Sequence, residues 1–415
     1  MTARRRLSQG ELEVTVGAHE RYVEGKAGGR RAVLKFLDLS GLDLSRRLLD
    51  DADFTGSVFD GACMAGARLD RAILFGCDLR RADLRAAVLR RADLRGATLR
   101  GANLSLADLT QADFREGRIA VPHPEKGLAA VRHEMRAGDA NDVNFSGARL
   151  DGSQFDNASA FKADFSDCSM RGARLNGANL KDADLSGAIL EGAEVVGTNL
   201  AGARLAGAVL TGVDVARARL DKTDFSGCLR SPDASMLDRA EDLLARALAH
   251  QTFANTGGRE GQPTVLDSED LRAIGDRLKG ARLPAISARG ACLVGLNLSG
   301  AELQGACFEN ADLRGANLSG ADLRGARMAG ANLTKAILVG AMLDPLPLGA
   351  DRQAAVNLTG ARLRYADLRK ADLTRAVLTE ADLGSADLTG AVLTGAMMRG
   401  AVLDQVVGLE ITLAA

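Results

Sequence analysis

Residues 311–320 read ADLRGANLSG, which is two copies of a five-residue unit with alanine first, aspartate or asparagine second and leucine third. From Leu34 to Phe114 every fifth residue is Leu, Phe or Met. The same spacing returns from Phe145 to Phe225 and again from about Leu278 to Leu403. Self-similarity at a fixed short period indicates a repeat architecture, so the repeat decides the fold.

A period of five excludes extended helix in the repeats, because each step would rotate the large side chain by ~140° around a helix axis. A short extended segment followed by a turn fits instead, with the large residue and the small residue two positions before it on one face. Four such units would close one square coil. Coils stacked at ~4.8 Å would pair their backbones with the coils above and below and enclose the leucine side chains.

These repeated A-(D/N)-L-x-x units resemble the pentapeptide-repeat family. The resemblance implies a right-handed quadrilateral β-helix, so squareness and handedness come from the family, whereas the spacing alone gives the period and the inward residues. The resemblance extends over most of the chain. It says little about activity.

Two breaks in the repeat predict helices. Residues 8–24 read as an amphipathic helix opened by a capping box, Ser8 to Glu11, and residues 233–256 repeat its pattern, with His250 at the place of His19. Covering the open end of a β-helix with a helix would prevent end-to-end association. We therefore expect two domains, residues 1–229 and 230–415, each with a cap of this kind at its start.

The first domain is interrupted at 117–142. Pro122, His123 and Pro124 predict a rigid turn, residues 125–136 predict a short helix, and the repeat resumes one residue out of phase. The expected fold is thus an all-β solenoid: two tandem right-handed quadrilateral β-helices, each with an N-terminal α-helical cap, plus a helical side-loop excursion. Residues 344–348 read DPLPL and predict a bulged or protruding coil that places Gln353 at an inward position.

The excursion and an arginine-rich stretch supply the candidate interaction surface. Arginines of residues 80–100 point from successive faces and alternate with aspartates, so they indicate a solvated, largely neutralised girdle; contact with a phosphate or an acidic partner is the alternative. The candidate residues are Pro122, His123, Glu125, Arg132, His133, Arg136, Arg80, Arg90 and Arg100.

The sequence gives no sign of an active site, a cofactor or a metal site. His133-Glu134 lacks the second histidine that a zinc-binding H-E-x-x-H helix needs. His19 and His250 fit packed histidines at a helix–coil junction, with a pH-sensitive cap as the alternative. The cysteines form no CxxC pair, and Cys77 and Cys168 take inward positions where we expect inert thiols.

Overall charge disfavours nucleic-acid binding. Lys and Arg number 53 against 54 Asp and Glu, for a formal net charge of −1, and the chain has no Trp and only 2 Tyr. No apolar run is long enough for a membrane-spanning helix, and no apolar run follows the basic start, so we expect a cytoplasmic protein that does not bind membranes.

Two functions remain. A non-catalytic scaffold that binds a protein partner through its faces, side loop or caps is the first. The second comes from the resemblance: some pentapeptide-repeat proteins inhibit or protect DNA gyrase, a type II topoisomerase, by mimicking duplex DNA. Residues 142–227, the more acidic block, would be the local mimic. The apolar tail 406–413 predicts either a C-terminal cap or a homodimer seam.

Overall fold

A computed structural model describes residues 4–123, 127–231, 234–349 and 352–409. The chain divides into two compact units, Met1–Ser231 and Pro232–Ala415. Each unit has its own hydrophobic core, and no buried residue belongs to both cores.

Both units consist of stacked coils of four pentads. Residues twenty apart form parallel bridges, as between Asp93 and Asp113 or between Asn297 and Asn317, so each side of the coil carries a ladder. The ladder bonds are regular: the Leu79 amide donates to the Thr98 carbonyl at 2.7 Å. This pairing confirms the predicted coil of four pentads, and the backbone groups of each strand segment are satisfied by the neighbouring coils.

The central residues of the pentads fill the inside of each column. Leu94 and Leu318 are fully buried, as are the alanines two positions before them, Ala92 and Ala316. Phenylalanine replaces leucine at some of these positions, and Phe114 stacks on Phe155 with ring centroids 4.2 Å apart. The predicted inward positions are therefore confirmed.

The regular elements outside the coils are few. The described residues contain two α-helices, α1 (Gln9–Val23) and α2 (Ala234–Thr256), a kinked 3₁₀ segment (Arg272–Leu278), and six strands. The strands are β1 (Gly117–His123), β2 (Gly127–Arg136), β3 (Val209–Leu210), β4 (Leu229–Arg230), β5 (Leu346–Pro347) and β6 (Gln353–Ala354). β3 and β4 pair in parallel and belong to the ladder, whereas β1–β2 and β5–β6 are antiparallel pairs.

Helix α1 packs on the start of the first column. Ser8 caps it in the predicted capping box with Glu11, and Leu12, Val16 and His19 are buried. Glu20 accepts two bonds from the Arg47 guanidinium, both at 2.8 Å, which ties the helix to the column. In α2 the matching residues, among them His250, are buried within the second unit in the same way.

The described residues of the excursion, 117–123 and 127–142, are not helical, so the prediction of a helix at 125–136 is wrong. The chain forms a hairpin, hereafter the first hairpin, in which β1 pairs with β2 from Gly117 and Arg136 outward. The column continues after the hairpin, because Thr98 bridges Asp139. These two residues are forty-one positions apart in the sequence, whereas bridged residues of uninterrupted coils are twenty apart. The 21 extra residues account for the change of phase by one.

A smaller outgrowth occurs in the second unit. Arg327 bridges Asn357, so ten residues are added to that coil, and β5 and β6 form a short second hairpin. The expectation of a protruding coil is confirmed. The inward placement of Gln353 is wrong, because Gln353 lies in β6 and is exposed.

Candidate interaction surface at the first hairpin

The first hairpin leaves the column at the corner between two of its sides. The chain enters the hairpin after the side of the coil that ends at Arg115, and it returns from the hairpin into the side that begins at Asp139. Two glycines make the passage: a Cβ on Gly117 would lie 2.9 Å from the Phe75 ring, and a Cβ on Gly138 would overlap the Phe114 carbonyl oxygen. Glycine is thus required where the chain returns, and where the chain leaves a larger residue would have to displace the Phe75 ring and crowd the Arg95 carbonyl.

The predicted site residues of the excursion lie on both strands. Pro122 and His123 are in β1, and Pro122 pairs with Val131. In β2, Arg132 pairs with Val121, His133 with Ala120, and Arg136 with Gly117. Glu125 lies outside the described residues, as does Pro124, on which the predicted turn depends.

The three predicted girdle arginines do not converge. Arg80 and Arg100 are on the same side of the column, twenty residues apart, whereas Arg90 is on the opposite side. Arg80 pairs with Asp78 at 2.5 Å, Arg90 with Asp70 at 3.1 Å, and Arg100 with Asp139 at 3.7 Å. Of the three, only Arg100 contacts the base of the hairpin, through Asp139.

The paired arginines support the interpretation of a neutralised girdle. In several pentads a single aspartate both closes the turn and binds the arginine two residues on: Asp93 Oδ1 accepts from the Arg95 amide at 3.2 Å and from Nε at 2.9 Å. This hydrogen bond with Asp93 raises the pKa of Arg95 above its ordinary value. Exposed pairs of this kind add little to stability, and they leave little unbalanced charge for an acidic partner.

A groove not predicted from the sequence lies beside the hairpin base. It has a volume of about 620 Å³ and is open to solvent. Its lining residues are Arg95, Arg115, Glu116, Met135, Asp156, Asn157, Arg174, Asn176 and Gly177. Met135 belongs to β2 and is 59% exposed, so the hairpin forms one wall and the following coils form the other.

Asp156 is the least exposed charged residue of the groove. It is 9% exposed, and neither carboxylate oxygen has a hydrogen-bond partner. Its Oδ2 lies 3.2 Å from an Arg174 nitrogen, an ion-pair distance without hydrogen-bond geometry. The sequence signal that could have identified Asp156 is its place in the repeat, which matches that of Arg115 in the preceding coil. The hairpin hides this match, because it makes the two residues forty-one positions apart in the sequence.

The two junction histidines occupy equivalent places. Nδ1 of His19 accepts the Ala32 amide at 3.0 Å, and Nδ1 of His250 accepts the Thr264 amide at 3.0 Å. Nε2 of His250 lies 2.8 Å from the Pro284 carbonyl oxygen, as expected for a packed histidine. Burial lowers the pKa of His19, against the opposing effect of the Asp50 backbone and carboxylate.

The described residues hold neither a metal-binding cluster nor a membrane-spanning helix. Within the described residues, no three His, Cys, Asp or Glu side chains are close enough together to hold a metal ion. None of the helices described there is both long and apolar enough to cross a bilayer. Burial raises the pKa of Cys77 to about 12, so this thiol stays protonated at neutral pH, as expected of an inert core cysteine.

Comparison with known proteins gives one family. The family model described as pentapeptide repeats matches more than half of the chain, at residues 31–74, 77–115, 141–177, 163–200, 178–214, 193–227, 281–320, 311–344 and 357–395. Curated protein sequences give no match.

Solved structures similar to the chain include pentapeptide-repeat proteins and also the A-modules of two Azotobacter vinelandii mannuronan C-5 epimerases. QnrB1, a plasmid-mediated fluoroquinolone resistance protein, is 18% identical over 52% of this chain and 92% of its own, with a TM-score of 0.23. A protein of the Arabidopsis thaliana thylakoid lumen is 30% identical over 29% of this chain and 66% of its own, with a TM-score of 0.19. HetL of the cyanobacterium Nostoc, involved in regulating heterocyst differentiation, is 19% identical over 94% of both chains, with a TM-score of 0.13.

Proposed function

Because the chain belongs to the pentapeptide-repeat family, whose members form right-handed quadrilateral β-helices, we propose that it is a non-catalytic scaffold that binds a protein partner. The first hairpin is the main recognition element, and the columns hold it in place. In this proposal residues 1–229 and 230–415 are two capped β-helices. The protein acts in the cytoplasm without a cofactor.

One observation carries the proposal: the hairpin is dispensable for the ladder. The bridges from Asp93 to Asp113 and from Thr98 to Asp139 run through the coil from which it projects. These 21 residues take no part in the pairing of the column and are therefore free to contact a partner, and projecting loops on rigid scaffolds commonly carry recognition. Because the arginines of the girdle are already paired with aspartates, the flat sides of the column are weaker candidates for binding a partner.

The test is excision of the hairpin. Joining Glu116 to Gly138 removes residues 117–137 and restores an unbroken run of pentads, because Gly138 then takes the small inward position. The matched control removes residues 345–354, which excises the second hairpin and joins Asp344 to Ala355 in phase.

We expect both variants to fold and to keep the circular dichroism spectrum of the column. In affinity purification from the native cell, followed by mass spectrometry, the variant lacking 117–137 is expected to lose the partner, whereas the variant lacking 345–354 keeps it. Retention of every partner by the first variant would show that the hairpin is not the recognition element.

Two further predictions from the sequence stand without an observation that favours them. DNA mimicry toward a topoisomerase would need an acidic surface, whereas the formal net charge is −1 and acids of the 142–227 block pair with arginines, as Asp184 does with Arg204 at 3.6 Å.

Homodimer formation through 406–413 also stays a prediction. Val406 and Leu409 pack against the hydrophobic core of the second unit.

A further inference from the structure

A second groove lies beside the base of the second hairpin. Its volume is about 410 Å³, and it is lined by Pro345, Gln353, Ala355, Arg375, Gly395 and Met397. We propose that this second groove binds the carboxyl-terminal residue of a protein ligand, with the terminal carboxylate on Arg375 and an aliphatic side chain on Met397. This ligand is additional to the partner of the first hairpin, so the inference does not depend on the role of that hairpin.

The first argument is the charge of the lining. Arg375 is the one charged residue among the six, so the lining carries one guanidinium group and no carboxylate. Within the described residues no carboxylate lies at ion-pair distance from Arg375, and its Nη1 donates to Gln353 Oε1 at 3.2 Å. Asp372, three residues earlier, is turned to the Thr374 amide, which its Oδ1 accepts at 2.9 Å. The charge of the second groove therefore selects an anionic group.

The second argument is that Arg375 is held in place. A Cβ on Gly395 would lie 3.3 Å from Cγ of Arg375, so the aliphatic stem of the arginine crosses the surface that this glycine leaves open. Gln353, which is exposed in β6, binds the guanidinium group at the other end of the side chain. A guanidinium group has five N–H donors, and the bond to Gln353 uses one of them. Donors thus remain for a bidentate contact with a carboxylate.

The third argument is the apolar part of the lining. It consists of Pro345, Ala355 and Met397, and the methionine is 52% exposed. A methionine side chain adapts to aliphatic groups of different shapes, and covering its exposed surface with such a group is favourable. The second groove therefore offers an apolar wall next to a single positive charge.

The form of the hairpin favours a chain terminus over an added strand. β5 and β6 have two residues each, and the prolines at 345 and 347 have no N–H to donate to a further strand. In an extended segment, side chains on one face are ~6.6 Å apart, since each of the two residues adds ~3.3 Å. A carboxyl-terminal Leu, Ile or Val instead carries the carboxylate and the aliphatic group on one residue, which suits a groove of about 410 Å³.

The experiment uses the full chain and four peptides that carry the same fluorescent label at the N-terminus. Gly-Ser-Thr-Leu is prepared with a free carboxylate and as the amide. Gly-Ser-Thr-Ser with a free carboxylate lacks the aliphatic side chain, and Gly-Glu-Thr-Leu-amide carries its carboxylate on an internal side chain. In titrations followed by fluorescence anisotropy, we expect the Leu peptide with a free carboxylate to bind at least about tenfold more tightly than each of the other three.

Three variants locate the effect. Arg375→Gln removes the charge and should abolish the preference for the free carboxylate. Arg362→Gln is the matched control: it makes the same change of net charge at an exposed position outside the second groove, and it should keep the preference. Met397→Ala should reduce the advantage of the Leu peptide over the Ser peptide by about threefold or more. Thermal unfolding checks that all three variants are folded.

The inference is overturned by equal binding of the free-carboxylate and amide Leu peptides, or by no binding of any peptide at about 1 mM. It is also overturned if the internal-glutamate peptide binds as tightly as the terminal carboxylate, or if Arg375→Gln retains the preference.

The inference and the proposed function fail separately. The variant lacking 117–137 keeps every residue of the second groove, so it should bind the Leu peptide like the full chain even if it loses the native partner. The variant lacking 345–354 loses Pro345 and Gln353, so it should bind this peptide more weakly. Unchanged peptide binding by the variant lacking 345–354 would refute the second groove and leave the scaffold role of the first hairpin intact.

Discussion

The aspartate or asparagine before each central leucine is explained by local hydrogen bonding. Asn103 Oδ1 accepts the Ser105 amide at 3.1 Å, and Asp108 Oδ1 accepts the Thr110 amide at 3.1 Å and its hydroxyl at 2.6 Å. Such Asx turns bend the chain at the corner of the coil. From the sequence these residues could be predicted to form outward ladders, but their part in the turn could not, because it depends on the side-chain rotamer.

Glycine at position 138 gives a prediction at the same scale. We expect Gly138→Ala to lower the free energy of unfolding by about 2–4 kcal/mol, because the added Cβ would overlap the Phe114 carbonyl oxygen and displace the backbone. Urea denaturation followed by circular dichroism measures the loss.

The control for this substitution is Gly17→Ala. Gly17 lies in α1, and a Cβ there would meet nothing within 4 Å. Alanine should therefore leave stability unchanged or raise it by about 0.5–1 kcal/mol through its higher helix propensity. Equal losses from both substitutions would contradict the close approach at the hairpin base.

Residue patterns predicted the column but not the groove. The fixed spacing of Leu94, Leu99 and Leu104 is enough to assign their burial, since every coil imposes the same environment. The proximity of Arg115 and Asp156 is different in kind. It depends on how many residues the hairpin contains. The shift of the repeat by one position does not determine this number, because insertions of several lengths produce the same shift.

At the scale of elements, the hairpin shows why the predicted helix was wrong. Apolar residues at 128, 131 and 135 have helical spacing, but a short helix in water is marginal without a surface on which to pack. The segment instead finds its partner in residues 117–123, and the antiparallel ladder satisfies the backbone of both strands. Local periodicity could not reveal that partner.

The junction between α1 and the first coil should be sensitive to acid. His19 must be neutral at Nδ1 to accept the Ala32 amide, and its pKa in the folded state is lowered from the ordinary 6.5. The unfolded chain therefore binds the proton more readily. Stability is fully present above pH ~6.5 and is lost as the pH falls below that value, by up to about 1.4 kcal/mol per pH unit. The charged groups near the ring are Asp50, Asp51 and Arg31.

The measurement is the urea midpoint of the full chain between pH 7.5 and 5.5. His19→Asn is the matched variant, because the amide oxygen can accept the Ala32 bond in place of Nδ1 and does not titrate in this range. We expect the variant to lose the part of the pH dependence that is due to His19. An identical pH profile for both proteins would exclude His19 as its source.

For the whole molecule, the two separate cores predict that each unit folds alone. Fragments 1–231 and 232–415 divide the chain where no buried residue is shared. We expect each fragment to unfold cooperatively, with a urea midpoint within about 0.5 M of its transition in the full chain. The division into 1–229 and 230–415 proposed from the repeated caps is tested by the same experiment.

A cut within the first column, after Leu150, is the control for the two fragments. It exposes two new ladder ends and opens the leucine core, so its products should aggregate. Aggregation of fragment 1–231 or 232–415 to the same degree would mean that the units depend on each other for stability.

The bridge that joins Thr98 to Asp139 has a consequence for how such a chain can change over evolution. The coils before and after an insertion pair with each other whatever residues are inserted at the corner between them. An insertion of any length at one corner therefore leaves the requirements on inward and turn residues elsewhere in the sequence unchanged. New outgrowths can therefore be acquired and lost one at a time, without compensating substitutions elsewhere, and variation in length among relatives should concentrate at corners.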